Sequence, residues 1–264
     1  MSQHFADTGT AIHFAATVRR DRWWVNPLLV ALGFGAFIVY STARVFQNAH
    51  FQILTDDSAH LLSPMYSPLL AVPAWLPAWV SPAMFILWAP GGFRFTCYYY
   101  RKAYYRAYFL TPPACAVTGT HGHSYKGERN LFIFQNLHRY LLYFAIAIIF
   151  ILSYDALLAC SWPSEDGGHE FGMSVGTFIL AINAFLLGAY TFGCHSFRHL
   201  IGGKLNVFRN NRFIDNLRYR GWTGVSILNG KHQEWAWVSL FFVAFADFNI
   251  WMCSAGHIVD VRVF

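Results

Sequence analysis

The sequence predicts an all-α integral membrane protein: a bundle of five transmembrane helices, N-terminus cytoplasmic and C-terminus outside. Three observations carry this. The first is composition. The 264 residues are 56% hydrophobic, 19% aromatic and only 12% charged, where a soluble domain averages about 25% charged. The second is a set of five apolar stretches long enough to cross a hydrocarbon core of roughly 30 Å, which takes about 20 helical residues. The third is the alternation of basic and non-basic loops between those stretches.

The first span is expected at 27–46, opening at Asn26-Pro27, because proline fits the first helical turn. No apolar run precedes Trp23, so no cleavable signal peptide is expected. The second span is expected at 82–100, with a kink or a close helix contact at Pro90, Gly91 and Gly92. The third, fourth and fifth are expected at 137–160, 173–194 and 235–253, and a cytoplasmic connector at 198–234. The whole chain forms one membrane-anchor domain. Residues 61–80 are apolar too, but Pro64, Pro68, Pro73 and Pro77 break any regular helix. With Trp75 and Trp79, that segment suits an interfacial lid on the outer face.

Sixteen of the 19 basic residues fall before span one, between spans two and three, or between spans four and five. The two intervening loops carry none, and the later one holds Glu165, Asp166 and Glu170. This positive-inside pattern sets the orientation. The net charge of +6 is thereby assigned to cytoplasmic loops in a lipid membrane, and no nucleic acid partner is expected. Five Cys at irregular spacing do not make a disulfide framework.

On this topology the reactive residues gather at the inner membrane ends. Cys97 closes span two and Cys115 follows it. His138 opens span three, while Cys194, His195 and His199 close span four. His121 and His123, in an inner loop, are further candidates. His195 and His199, four apart, share a helix face. Two Cys with two His is the ligand set of a Rieske [2Fe–2S] centre, although the loop spacing of that centre is absent. The plainer reading is that the thiols pack and the imidazoles sit among headgroups. A second, scattered set lies outside: His50, His60, Cys160, His169, Cys253 and His257.

The run at 97–106 is dense in Tyr and Arg. It reads either as an aromatic belt with basic anchors or as a quinone headgroup site. Such a site needs hydrogen-bond donors beside an apolar slot. Tyr98, Tyr99, Arg101, His138, Arg139 and Tyr140 supply donors at that depth. Arg94 lies deeper, where charge is costly and a function is expected by default. Arg44 is expected to snorkel outward.

The run at 97–106, the Pro112-Pro113-Ala114-Cys115 after it, residues 136–140 and residues 193–203 resemble the cytochrome b-like membrane anchor of an actinobacterial succinate dehydrogenase, in particular the mycobacterial type without haem. The resemblance implies a multi-pass protein of the bacterial plasma membrane, bound to a flavoprotein subunit and an iron–sulfur subunit. It also allows a homo-oligomer of the whole complex. Electrons from succinate would pass to menaquinone or ubiquinone, and the succinate site would lie outside this chain. Related anchors hold haem b between His pairs, and the inner end of span two offers Cys97 but no His. The resemblance implies instead a Rieske-type cluster, with Cys97, Cys194, His138 and His195 as ligands and Cys115 and His199 as substitutes. The alternatives are a cofactor-free structural anchor of the same complex and a small transporter.

Overall fold

The computed structural model describes residues 13–53, 60–73, 75–120, 131–164, 168–203, 205 and 213–264. Among them, four helices are long and apolar enough to cross a membrane. These are α1 (Val25–Gln47), α5 (Leu131–Leu158), α6 (Val175–Phe192) and α9 (His232–Ser254). The inner loop candidates His121 and His123 lie outside the described residues.

The stretch at 82–100 departs from expectation. It is not one helix but α2 (Pro82–Ile86), α3 (Trp88–Thr96) and the start of α4 (Tyr98–Ala107). The breaks fall at Leu87 and Cys97, and not at Pro90-Gly91-Gly92. Pro90 instead lies in the first turn of α3, where a missing N–H is tolerated. The expected close contact is present at Gly92, where a Cβ would stand 3.2 Å from Leu141 Cδ1 on α5. Together α2 and α3 cover residues 82–96, about 22 Å of helix rise.

In the bundle, α6 packs between α5 and α9, α3 lies on α5, and α1 stands outermost against α4 and α9. Helix α6 starts at a capping box, with Ser174 Oγ accepting from Thr177 N at 3.1 Å. The largest core cluster joins Phe93, Cys97, Tyr100, Leu142, Tyr190, Cys194 and Leu240. It belongs to α3, α5, α6, α9 and the two Cys-centred breaks, so the site below is built into the core.

The connector expected at 198–234 is largely helical. Helices α7 (His195–Gly202) and α8 (Phe213–Gly230) pack on each other. Arg198 stacks 4.7 Å over Trp222 and donates to Ser226 Oγ at 2.9 Å.

At the opposite end, β1 (Gln52–Ile53) pairs with β2 (Leu61–Leu62), and β3 (Ser161–Pro163) with β4 (His169–Phe171). As the prolines require, no regular helix forms in the described part of 61–80. Leu61 to Ser67 are buried, whereas Trp75 and Trp79 are exposed. Arg44 corrects the snorkelling expectation. It is 3% exposed and bonds Asp247 Oδ2 through Nε at 2.7 Å. Tyr40 and Ser63 also donate to Asp247, so a carboxylate on α9 holds the cation inside the bundle.

Candidate functional site

Two helix breaks bring the thiols together. Cys97 separates α3 from α4 with φ −65° and ψ 136°. Cys194 separates α6 from α7 with φ −64° and ψ 142°. In both, the extended residue caps the following helix: Arg101 N donates to Cys97 O at 2.9 Å and Arg198 N to Cys194 O at 3.0 Å. Both thiols are buried. Ser196 N also reaches Cys194 Sγ at 3.4 Å. Each Cys thus sits at the N-terminal end of a helix.

Two imidazoles face these thiols. His138 Nε2 is 3.1 Å from Cys194 Sγ, and His232 Nε2 is 3.8 Å from Cys97 Sγ. The tautomer of His138 follows from its other nitrogen. Nδ1 lies 3.1 Å from Phe93 O, which can only accept, so Nδ1 carries the proton. Nδ1 is also 2.9 Å from Thr96 Oγ1, whose own hydrogen goes to Gly92 O at 2.8 Å. The bare lone pair of Nε2 therefore points at Cys194, the arrangement that a metal-binding His adopts. His232, the first residue of α9, is buried, and its Nδ1 has no hydrogen-bond partner among the described residues. Each ring is clamped by a parallel aromatic face: His138 on Phe93 at 4.4 Å and His232 on Tyr190 at 5.0 Å.

Cys97, His138, Cys194 and His232 line one cavity of about 550 Å³ that opens at the end of the bundle carrying α4 and α7. Tyr98, Tyr99, Arg101, Arg139, His195 and His199 line its walls. Of the four ligands expected from the sequence, Cys97, His138 and Cys194 are buried at this cavity. His195 is exposed on α7 at the cavity wall, and His232 occupies the buried position. Cys115 is exposed and lines a different groove with Arg106. Tyr140 is 65% exposed and does not line the cavity. The sequence reading missed His232, whose one signal was its place just before the fifth apolar stretch. Placing the span start at Trp235 left it in the loop.

Among the described residues, no three His, Cys, Asp or Glu side chains gather around one metal position. The four donors stand as two Cys–His pairs. Two Cys and two His match a Rieske centre in kind and number, but such a centre places both His on one iron, whereas these donors are paired Cys with His. The outer group of His50, His60, Cys160, His169, Cys253 and His257 forms no such gathering.

Arg94 does not share this cavity. It lines a second one of about 350 Å³, mostly apolar, between α1, α3, α5 and α6. Arg94 donates to Tyr100 Oη, to Ala236 O at 3.2 Å and to Ser239 Oγ at 3.0 Å. Its guanidinium lies 4.7 Å over the Tyr190 ring. Among the described residues it has no carboxylate partner. Tyr190 Oη, fully buried, has no hydrogen-bond partner either. Phe93 and Tyr190 belong to this cavity's lining, and their faces carry His138 and His232. Two aromatic rings therefore form the partition between the polar and the apolar cavity.

Comparison with known proteins agrees with this anatomy. The family model of the actinobacterial succinate dehydrogenase subunit SdhC matches residues 25–256. A chain of the Mycobacterium smegmatis Sdh1 complex in the apo form superposes with a TM-score of 0.83 at 37% identity, covering 98% of each chain. No curated protein matches. The chain belongs to the actinobacterial succinate dehydrogenase SdhC family: it is the membrane anchor subunit of a multi-subunit oxidoreductase and a multi-pass protein of a bacterial membrane.

Proposed function

We propose that this chain carries electrons from an iron–sulfur partner subunit at its inner face to menaquinone or ubiquinone inside the membrane, with Cys97, Cys194, His138 and His232 holding a Rieske-type [2Fe–2S] cluster. A flavoprotein subunit bearing the succinate site completes the complex. In this reading α2 and α3 together make the fifth crossing, and the basic end with α4, α7 and α8 is cytoplasmic. The single observation that carries the proposal is the gathering of two buried thiols and two buried imidazoles from four elements at one cavity.

Such a cluster supplies one-electron transfer at a potential raised by its His ligands. The chain's own groups do the rest. The Phe93 carbonyl fixes the tautomer of His138 and keeps Nε2 bare. The breaks before α4 and α7 hold the two thiols at the cavity. Haem is disfavoured, because each imidazole Nε2 faces a thiol.

The quinone ring fits the apolar cavity better than the polar one. A quinone partitions from lipid, and its carbonyl oxygens accept hydrogen bonds. Among the described residues Arg94 has no carboxylate partner and Tyr190 Oη no hydrogen-bond partner within bonding distance, and both residues line the apolar chamber. Tyr98, Tyr99 and Arg139 are then contacts for the docked subunit at the cavity mouth, Arg101 is buried in the cavity wall, and Tyr140 faces lipid.

Iron and acid-labile sulfide, counted in the purified complex, test the assignment. His232→Ala should lose about two irons per complex with unchanged subunit ratios. His195→Ala should lose none. Equal iron in wild type and His232→Ala would overturn the ligand set.

A further inference from the structure

A basic groove lies beside the cluster cavity and is separate from it. Arg19, Arg22, Lys102 and Arg106 line it, with a volume of about 320 Å³. Asp21 is its one carboxylate among the described residues, and Arg19 Nε takes it at 2.7 Å. Arg22 and Lys102 are exposed and have no acidic partner among the described residues.

The lower wall is apolar: Pro27 and Val30 from the first turns of α1, and Trp237 from the second turn of α9. The groove therefore runs from a cationic rim to an apolar floor at the level where two spans begin. A free anion would use the rim alone. A molecule with a phosphate at one end and acyl chains at the other uses both.

We infer that this groove binds one anionic phospholipid of the inner leaflet, its phosphate held by Arg22 and Lys102 and an acyl chain lying along Pro27, Val30 and Trp237. Basic pockets between spans on the cytoplasmic side have the chemistry for such headgroups. Tyr99 lines both this groove and the cluster cavity. A seated lipid would thus brace a wall of the electron path.

The test uses the intact complex, exchanged into phosphatidylcholine vesicles with and without phosphatidylglycerol, extracted in mild detergent and examined by native mass spectrometry. Wild type should retain one phosphatidylglycerol, and Arg22→Gln/Lys102→Gln should retain about tenfold less with subunit ratios unchanged. Arg22→Lys/Lys102→Arg, which keeps both charges, should restore retention and controls for misfolding. Equal retention by wild type and the Gln pair would overturn the inference. So would displacement of the lipid by inorganic phosphate, which would mark a free-anion site. Loss of the soluble subunits from the Gln pair would mark a protein-docking face and overturn it as well.

Discussion

Four residues carry the proposed chemistry, and three were legible as positions at span ends. Cys97, His138 and Cys194 each sit where an apolar stretch meets a basic one. The burial that selects His232 over His195 was not legible, because it depends on α7 turning its His side chains outward after the break at Cys194. Arg94 and Tyr190 make the sharpest test at this scale. Among the described residues Tyr190 Oη has no hydrogen-bond partner, so Tyr190→Phe should leave the fold intact. Losing one hydrogen bond of about 1–1.5 kcal/mol should raise the quinone KM about five- to tenfold. Reduction of a water-soluble acceptor by succinate should not change. An unchanged KM would place the quinone elsewhere. Arg44 and Asp247 form a second residue-scale unit. Breaking a buried ion pair from one side costs about 3–5 kcal/mol, while replacing both partners is far milder. Arg44→Met should therefore lower the melting temperature of the complex markedly. Arg44→Met/Asp247→Leu should recover most of it, and equal losses would contradict the pairing.

At the scale of elements, the apolar spans were readable because length and hydropathy alone decide them. The exception is instructive. Residues 82–100 pass as one span by composition, yet Pro90 at the start of α3 and the polar residues after Cys97 divide them. Proline and glycine announced a disturbance, but its position depends on which backbone donors the neighbouring turns still satisfy. Helix α3 is held against α5 at Gly92, where an added Cβ meets Leu141 Cδ1 at 3.2 Å; at Gly91 it meets nothing within 4 Å. Gly92→Val should destabilise the complex by about 1–3 kcal/mol through overpacking. Gly91→Ala should be neutral or slightly stabilising, since alanine favours helix. Thermal unfolding of both variants in detergent checks the contrast, and equal melting temperatures would contradict it.

For the whole molecule, the charge asymmetry of the loops sets which end meets the soluble subunits, and the positions of the reactive residues follow from it. What sequence could not convey is the layering of the interior. A polar cavity with four soft and borderline donors lies at one end. An apolar cavity with Arg94 and Tyr190 lies beyond it, and the rings of Phe93 and Tyr190 stand between. These contacts join α3, α5, α6 and α9, distant in sequence, and only packing brings them together. In the proposed function these two chambers form a relay, with stacked rings linking them. Pulsed EPR of the succinate-reduced complex is the most direct measurement of that design. It should detect a reduced [2Fe–2S] centre coupled to two histidine nitrogens, with one coupling lost in His138→Cys and the other in His232→Cys. A reduced complex with no additional [2Fe–2S] signal, or one whose centre shows no nitrogen coupling, would contradict it.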